Sequence, residues 1–274
     1  MENLQGKTAV VTGGASGIGR ASALALAQRG VNLVVADIDE AGALAVAHEI
    51  TQAGGQAVGV KCDVGQDRAF EELKALVLAR FGGVAIVMNN VGVLTRGLPE
   101  QIPLEEWQRI LNLNLLSVVR SNLAFLPLLL AQGEGHIVNT ASFAGLFTYS
   151  FDRAPYAAAK AAIIQISEGL ALYLRPKGIG VTVLCPGPVK TNIMSTLRSF
   201  GPPTDTRGPG AMFRLMEADE VGEQVVEAIV SNRFMLPTDE AVRELLVRRA
   251  RDWDGFIEEQ IVNPQIIVPA AKLT

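Results

Sequence analysis

The sequence predicts an α/β fold, a mostly parallel sheet with helices on both of its faces. Short apolar segments alternate with helical patterns along the chain, and glycines stand where the helical patterns end. Such alternation is typical of βαβ units with right-handed crossovers, which build a parallel sheet. Neither a linker nor an internal repeat divides the sequence, so we expect a single domain over residues 1–274.

Six apolar runs have the length and composition of buried parallel strands. They lie at 8–12, 33–36, 57–60, 84–88, 136–139 and 181–184. Helical patterns lie between and after them, at about 17–29, 39–53, 66–80, 103–131, 153–175 and 219–231. The glycines that follow most of these helices suit the C′ position, where a left-handed residue ends a helix.

The composition is that of a globular protein with a large core, because 49% of the residues are apolar and 19% are charged. A net charge of -4 argues against a nucleic-acid partner, which needs clustered lysine and arginine. The chain has no run of about 18 apolar residues, so we expect no membrane span. Residues 1–7 lack the apolar core of a secretory signal, and we expect a cytoplasmic protein.

The two cysteines, Cys62 and Cys185, are far apart and neither lies in a metal-binding spacing. We expect both to be reduced thiols of the core. The two histidines, His48 and His136, fit ordinary helix and strand positions, so no metal site is predicted.

A glycine-rich turn follows the first predicted strand and opens the first helix. In Thr12-Gly13-Gly14-Ala15-Ser16-Gly17-Ile18-Gly19, Gly13 allows a tight turn, Gly17 a close approach of backbone to phosphate, and Gly19 helix-to-strand packing. The N-terminus of the helix offers free N–H groups and the positive end of its dipole to a pyrophosphate. Because the turn lies between a strand and a helix, it predicts a dinucleotide site.

An acidic residue, Asp37, ends the second predicted strand 18 residues after Gly19. Its carboxylate can accept both hydrogen bonds of an adenosine ribose and would repel a 2′-phosphate. No Arg or Lys stands at positions 15, 16 or 38, so the sequence favours NAD over NADP. Asp37 could instead cap the next helix, a role that Asp39 would serve at least as well.

Tyr156 and Lys160 stand four residues apart in a predicted helix and therefore share one face. A tyrosine titrates near pH 10, and a lysine ammonium held close would lower its pKa toward neutrality. The pair is a candidate device for proton transfer. The spacing is also common by chance, and a solvated helix face is the alternative.

Two segments lie outside the repeated strand–helix pattern. Residues 192–216 combine glycines and prolines with Met194, Leu197, Phe200, Met212 and Phe213, which predicts a lid with an apolar inner surface. After it, a C-terminal unit of about 238–274 holds a helical pattern at 239–260 with an apolar stripe, followed by a tail. That stripe could pack on the protein's own core, or form a dimer contact or a wall of the pocket.

Taken together, six motifs in order resemble the short-chain dehydrogenase/reductase family, and the resemblance covers about residues 6–232. They are Thr12, Gly13, Gly17 and Gly19 for TGxxxGxG; Asn89-Asn90-Val91-Gly92 for NNAG, with Val in place of Ala; Asn114; Ser142; Tyr156 and Lys160 for YxxxK; and Pro186-Gly187-Pro188-Val189-Lys190-Thr191 for PGxVxT. The resemblance implies a single doubly wound Rossmann domain with a seven-stranded, mostly parallel sheet. It also implies a homodimer or a homotetramer.

The resemblance assigns cofactor contacts along the chain. Ser16 and Ile18, with Gly13 and Gly19, would line the pyrophosphate and ribose. Asp63 and Val64 would meet the adenine, and Asn90 the adenosine-side ribose. Val189 and Thr191 would hold the carboxamide of the nicotinamide, and Lys160 its ribose, beside Tyr156.

The resemblance also assigns the chemistry. Tyr156 would be the general acid/base, Ser142 would position the substrate oxygen, and Asn114 would hold a water that connects Lys160 to solvent. We expect an NAD-dependent interconversion of a secondary alcohol and a ketone on a bulky, mostly apolar small molecule. The alternatives are an NADPH-linked carbonyl reductase and a non-catalytic dinucleotide-binding regulator.

Two details depart from the family pattern or stay open. The Ser142–Tyr156 spacing is one residue longer than is most common, in a loop that borders the substrate. Four arginines, at positions 153, 198, 207 and 214, could pair with an acidic group on the substrate or be solvated charges of the lid.

Overall fold

The computed structural model describes residue 1 and residues 3–268, and the side chains of residues 266–268 are not described. The strands are β1 Thr8–Thr12, β2 Asn32–Asp37, β3 Ala57–Lys61, β4 Ile86–Asn89, β5 Thr95–Gly97, β6 Gly135–Thr140, β7 Ile179–Cys185, β8 Arg198–Phe200, β9 Thr206–Arg207, β10 Met235–Pro237 and β11 Ile266–Val268. The α-helices are α1 Gly17–Gln28, α2 Glu40–Gln52, α3 Ala69–Phe81, α4 Leu104–Ile110, α5 Ser117–Gln132, α6 Phe143–Leu146, α7 Ala154–Leu174, α8 Ala218–Val230, α9 Val242–Arg251 and α10 Trp253–Val262.

Seven of the strands form one sheet in the order β10-β7-β6-β4-β1-β2-β3. Each neighbouring pair in this sheet is parallel. The predicted doubly wound α/β fold with a seven-stranded sheet is therefore confirmed. Strand 84–88 was predicted two residues too early, since β4 begins at Ile86.

The sheet buries apolar side chains on both faces, because successive residues of a strand point to opposite sides. In β1, Ala9 and Val11 pack with α1, α2 and α8, whereas Val10 packs with α3, α5 and the end of α7. All three side chains are fully buried. A sheet covered on both sides explains why its strands read as continuous apolar runs rather than alternating ones.

The chain reverses direction across the sheet between β1 and β4. The strands β1, β2 and β3 run outward to one edge, and β4 then returns to the other side of β1. In such a sheet the crevice at the carboxyl ends of the two central strands is the usual ligand site. The loops that leave β1 and β4 at this crevice are the glycine-rich turn and residues 90–94.

The helix predicted at 103–131 is interrupted by a wide turn. Between α4 and α5, residues Leu111–Leu116 form a π-helical turn that contains the buried Asn114. Such turns arise as local insertions in α-helices and are frequent at functional sites. A pattern of 3.6-residue periodicity does not reveal them, because one extra residue barely changes the apolar stripe.

The segment predicted as a lid, 192–216, carries two short strands. Strand β8 pairs with β5, and β9 pairs with β11 near the C-terminus of the chain. Its Thr204 also donates a hydrogen bond of 2.7 Å to the buried Asp152. The segment is thus held on one side by the loop after β4 and on the other by the C-terminal unit.

The C-terminal unit contains two helices rather than the single helix predicted at 239–260. The helical pattern breaks at Asp252, whose side chain caps α10 by accepting from the N–H of Gly255. Phe256 is buried 6.2 Å from the ring of Phe147, and Arg249 donates 2.7 Å to the carbonyl of Leu146. Val242, Leu245 and Phe256 of the stripe pack on the protein's own core, whereas its Trp253 and Ile257 are more than half exposed. Residues 269–274 of the predicted tail lie outside the described residues.

Two helical stretches, Leu104–Gln132 and Phe151–Lys177, are long and apolar enough to cross a membrane by length and composition alone. Both pack against the central sheet, which accounts for much of their apolar character. They also bury polar groups that a lipid-facing helix would have to satisfy, among them Asn114 and Lys160. We interpret both stretches as helices of the layered fold.

Candidate active site

The glycine-rich turn is built so tightly that side chains are excluded from it. Gly13 has φ +65°, in the left-handed region that favours glycine. A Cβ at Gly19 would lie 2.0 Å from the carbonyl oxygen of Gly13. Asn90 closes the turn from the neighbouring strand by donating 3.2 Å to the same carbonyl. Asn90 thus links the end of the fourth strand to the glycine-rich turn.

The helix α1 points its N-terminus into the crevice. Ser16 is its N-cap residue, and the Ser16 side chain makes no capping hydrogen bond. The N–H groups of the first turn have no intrahelical acceptor, so they suit the oxygens of a phosphate. A Cβ at Gly17 would lie 3.1 Å from the side chain of Thr191, so the turn and the start of the 192–216 segment touch. Ile18 is buried behind the turn.

Asp37 is a structural support for the glycine-rich turn as well as a candidate ligand. Its carboxylate accepts from the N–H of Ala15 at 3.0 Å and from the N–H of Asp39 at 3.1 Å. The cap of α2 is Asp39, which accepts from Gly42. The alternative role of Asp37 as that helix cap is therefore excluded.

The remaining predicted cofactor residues lie around the crevice. Asp63 is half-buried and accepts from the N–H of Gly65 at 3.0 Å, and Val64 is buried beside it. Val189 forms an isolated bridge with Met216. Thr191 accepts a bond of 3.5 Å from the N–H of Ile193 and so begins the short 3-10 helix Asn192–Thr196.

Tyr156 and Lys160 lie on the buried face of α7, with 7% and 2% of their surface exposed. The Lys160 ammonium donates 2.8 Å to the carbonyl of Thr140 and lies 5.7 Å from the centre of the Tyr156 ring. The Ser142 hydroxyl accepts from the N–H of Ala144 at 3.1 Å and is close enough to Tyr156 to favour its phenolate. The alternative of a solvated helix face is thus excluded for this pair.

The predicted direction of the Tyr156 shift is reversed in the structure. Burial raises the pKa of Tyr156 to about 12, because it disfavours the phenolate. The neighbouring Ser142 hydroxyl favours the phenolate, but by less. Burial also lowers the pKa of Lys160 to about 8. The lysine therefore still carries most of its charge at pH 7, while the phenol needs further stabilisation to act as a base.

Asn114 is fully buried in the π-helical turn and is fixed at both ends of its amide. Its side-chain oxygen accepts from the N–H of Val93 at 2.8 Å, and its nitrogen donates 3.0 Å to the Val93 carbonyl. The amide thus ties this helix to the loop after β4. Its predicted role in holding a water stays a prediction.

Two threonines that support the site, Thr140 and Thr12, belong to none of the predicted site residues. The carbonyl of Thr140 holds Lys160, and the hydroxyl of Thr140 donates 3.2 Å to Asn90. The hydroxyl of Thr12 accepts from the N–H of Asn90 and donates to the carbonyl of Met88. A backbone carbonyl leaves no signal in residue type, although both threonines end strands that point at the crevice.

The Tyr-x-x-x-Lys spacing occurs a second time at the C-terminal end of α7, where Tyr173 lies in the helix and Lys177 in the 3-10 turn that follows it. Tyr173 is 53% exposed, and Lys177 lies 3.9 Å from the centre of its ring. Lys177 donates to the carbonyl of Tyr173. This pair lies on the protein surface, far along the helix from Ser142.

Apolar side chains cover Tyr156. Leu94 and Ala144 pack against it, together with Tyr149, Ile193 and Leu197. Two of these side chains, Ile193 and Leu197, belong to the 192–216 segment, whereas Met194 and Met212 of the same segment are exposed. A cleft of about 380 Å³ is lined by Trp107, Phe151 and several alanines of α6 and α7. None of Asn114, Ser142, Tyr156 and Lys160 lines it, and we do not assign it to catalysis.

Cys62 and Cys185 are buried free thiols, and burial raises the pKa of each, to about 11 and about 12. His136 is buried with Nε2 2.8 Å from the Thr182 hydroxyl, and burial lowers its pKa to about 3. No cluster of His, Cys, Asp or Glu that could hold a metal ion occurs in the part of the chain that the structure describes.

Known proteins of similar sequence and structure agree with this geometry. A family model described as short chain dehydrogenase matches residues 7–200. Cyclohexanol dehydrogenase of an Acinetobacter species is 36% identical over 190 residues, 69% of this chain and 75% of that protein. A crystal structure of a short chain dehydrogenase/reductase from Burkholderia phymatum, in complex with NAD, has 31% identity and a TM-score of 0.82 and covers 93% of this chain and 96% of that one.

A third relative is longer than this chain. Probable oxidoreductase EphD of Mycobacterium tuberculosis is 37% identical over 237 residues, which are 83% of this chain and 40% of that protein. The chain thus spans well under half the length of that relative. With the family model matching more than half of the sequence, the chain belongs to the short-chain dehydrogenase/reductase family. It has the fold of that family.

Proposed function

We propose that this protein interconverts a secondary alcohol and a ketone with NAD, using Tyr156 as the general acid/base. The observation that carries the proposal is the buried group of three side chains beside the glycine-rich turn. Ser142 lies beside Tyr156 and favours its phenolate, and Lys160, one helical turn away, is fixed by the Thr140 carbonyl. The relative from Acinetobacter is named a cyclohexanol dehydrogenase, which is the same class of reaction.

The residues of the crevice fit a nicotinamide dinucleotide. The N-terminus of α1 suits a pyrophosphate, because no side chain caps its N–H groups. The glycines leave room for the phosphates, because a Cβ at Gly13, Gly17 or Gly19 would fill the turn. We assign the adenosine ribose to Asp37 and Asn90 and the adenine to Asp63. Val64, Val189 and Thr191 would complete the contacts. When bound, the nicotinamide supplies the acceptor or donor of the hydride.

The protein then handles the proton. In oxidation the Tyr156 oxygen takes the proton of the alcohol, and in reduction the same phenol returns it. The Ser142 hydroxyl donates a hydrogen bond to the substrate oxygen and stabilises its developing charge. Moving the pKa of Tyr156 from about 12 to neutrality requires roughly 7 kcal/mol, at about 1.36 kcal/mol per unit. Lys160, charged at pH 7, contributes to this, and Asn114 would hold the water that exchanges its proton.

NAD is favoured over NADP by the surroundings of Asp37. A 2′-phosphate would meet this carboxylate, and positions 15, 16 and 38 hold Ala, Ser and an exposed Ile instead of a cation. The structure from Burkholderia phymatum is a complex with NAD. Both observations support NAD.

The substrate we propose is bulky and mostly apolar, because Leu94, Tyr149, Ile193 and Leu197 surround the phenol. We further propose a cytoplasmic homodimer or homotetramer. The exposed leucines Leu123 and Leu172, at 73% and 82%, lie on α5 and α7 and support a contact between copies.

A panel of secondary alcohols with NAD+ and with NADP+ tests the proposal, with formation of the reduced nicotinamide followed by its absorbance. We expect turnover of alicyclic or aromatic alcohols with NAD+ and weaker turnover with NADP+. Faster turnover with NADP+ would contradict the role of Asp37. A protein that binds NADH in calorimetry but oxidises no alcohol and reduces no ketone would contradict the catalytic role.

A further inference from the structure

The four arginines near the 192–216 segment meet very different surroundings. Arg214 pairs with Glu220, and Arg198 lies 3.7 Å from Glu106. Their side chains are 60% and 61% exposed, so water and a carboxylate screen both charges. These two side chains are solvated charges, which was one of the two alternatives for the arginines. Arg153 and Arg207 are not.

Arg153 directly precedes α7 and is held near the phenol of Tyr156. Its side chain is 16% exposed and donates a hydrogen bond of 3.3 Å to the carbonyl of Arg207. Its charge also favours the ionised form of the neighbouring Tyr149. Burial raises the pKa of Tyr156, and the positive charge of Arg153 opposes that rise. The charge of Arg153 is therefore felt at the reacting oxygen. Arg153 also lines the small cavity beside Ala144 and Ala157.

Arg207, in β9, has one N–H donor that makes no hydrogen bond to the described residues. Its guanidinium lies 4.8 Å from the centre of the Phe151 ring. Its Nε is buried and has no hydrogen-bond partner among the described residues. A buried donor of this kind costs free energy, and the group that would satisfy it is an acceptor oxygen.

Positive charge exceeds negative charge around β9. A third guanidinium, that of Arg96, donates 3.2 Å to the hydroxyl of Thr206, so three converge on this two-residue strand. Among the described residues, the carboxylates next to this strand are those of Asp205 and the fully buried Asp152. Asp152 already accepts from Ser150 and Thr204 and lies 3.7 Å from Arg153. An excess of cations is notable in a chain of net charge -4.

We propose that Arg153 and Arg207 form a carboxylate-binding subsite beside Tyr156, so that the preferred substrate is a bulky secondary alcohol that also carries a carboxylate. The inference rests on the proposed function, whose substrate class it narrows. The ring or chain of the substrate lies under Leu197 and Ile193, and its carboxylate accepts from the two guanidiniums. A planar guanidinium fork suits the two oxygens of a carboxylate.

The first test compares cyclohexanol with its carboxylated counterparts, the ring isomers of hydroxycyclohexanecarboxylate. We expect the wild type to prefer at least one isomer of the acid by roughly tenfold or more in kcat/KM, through a lower KM. Arg207→Met should lower kcat/KM for the acid by roughly thirtyfold and leave that for cyclohexanol unchanged. The matched control Arg214→Met removes an equal charge from the same segment and should change neither. An Arg207→Met variant that keeps the preference for the acid would overturn the subsite.

The second test uses the wild type alone and does not depend on a variant that folds. Cyclohexanecarboxylate and cyclohexanecarboxamide have the same shape and differ in charge. We expect the acid to inhibit cyclohexanol oxidation roughly tenfold better than the amide. Equal inhibition by the two compounds would overturn the subsite while the proposed function stands.

Failure of the proposed function gives a different result. If no secondary alcohol is oxidised, calorimetric titration of cyclohexanecarboxylate into the wild type and into Arg207→Met decides the subsite by itself. Binding that weakens roughly tenfold in the variant supports it. Equal binding to both proteins contradicts it.

Discussion

Two tyrosine–lysine pairs with the same spacing lie in opposite environments, one near the start of α7 and one at its end and the 3-10 turn that follows. Tyr156 and Lys160 are buried between Ser142 and the carbonyl of Thr140, whereas Tyr173 and Lys177 lie at the surface. In the exposed pair the ammonium lies 3.9 Å from the ring centre, closer than the 5.7 Å of the buried pair. Closeness of the two groups is thus not what distinguishes the candidate site.

What differs is the surroundings that the fold supplies. At Tyr156 the sheet brings the end of β6, the turn after β1 and the 192–216 segment to one place. Burial there raises the pKa of the phenol to about 12 and lowers that of the lysine to about 8. Because the pKa values of both groups are shifted by the site, the binding of a substrate there can change which of the two is charged.

Removing the buried lysine should have a large effect on activity. Lys160→Met keeps the volume of the stem but removes the charge that favours the phenolate. We expect kcat to fall roughly thousandfold, a loss typical of general acid–base groups. Lys177→Met makes the same change in the exposed pair and should leave kcat unchanged. Steady-state rates with NAD+ and the best alcohol of the panel check this, and equal losses in both variants would show that burial is not the reason.

Asp37 offers a second comparison, with its neighbour Asp39. Asp37→Asn keeps an acceptor for the N–H of Ala15 but removes the charge that repels a 2′-phosphate. We expect the ratio of kcat/KM for NAD+ to that for NADP+ to fall roughly thirtyfold. Asp39→Asn removes an equal charge two residues away, and asparagine is also a good helix cap, so this ratio should stay near that of the wild type. Equal shifts in both variants would mean that the effect is that of net charge.

The smallest expected effect is on stability, and it has the opposite sign to the effect on activity. The folded-state pKa of Lys160 lies below that of the unfolded chain, so the free energy of unfolding decreases as the pH falls from 10.5 to about 8. Below that range the burial of the charge costs about 3 kcal/mol. Loss of the bond to Thr140 offsets about 1 kcal/mol, so Lys160→Met should be more stable at pH 7 by about 2 kcal/mol.

The same comparison controls this stability prediction. The gain of Lys160→Met should shrink toward zero at pH 10, whereas Lys177→Met should match the wild type at both pH values. Urea unfolding of the three proteins measures the differences. A Lys160→Met variant less stable than the wild type at pH 7 would show that the lysine contributes more through packing and hydrogen bonding than its burial costs.

The sequence predicts the parts of this molecule that local patterns encode. Buried parallel strands are continuous apolar runs, and the glycine-rich turn needs glycines for steric reasons, so the sheet and the crevice follow from spacing alone. The same holds for Asp39, since a cap must precede its helix. The place of Asp37 and the spacing of Tyr156 and Lys160 also point to their roles, whereas the role of Ser142 comes from the resemblance to the family.

The remaining features depend on contacts between distant residues. The pairing of β9 with β11 joins two short segments about 60 residues apart, and neither has a pattern of its own. The π-helical turn around Asn114 and the break at Asp252 are single-residue events in helical patterns. The pKa of Tyr156 is raised rather than lowered because residues from several distant segments together bury its phenol. The unpaired Nε of Arg207 likewise exists only in the folded chain.

The most direct measurement is the rate of NADH formation by Tyr156→Phe and by Tyr173→Phe, with the secondary alcohol that the wild type oxidises fastest. Both variants lose one phenolic oxygen from the same helix, and NADH binding by calorimetry establishes that each still holds the nucleotide. The account predicts a fall of roughly thousandfold or more for Tyr156→Phe and an unchanged rate for Tyr173→Phe. Wild-type turnover by Tyr156→Phe would contradict the assignment of this phenol as the proton carrier.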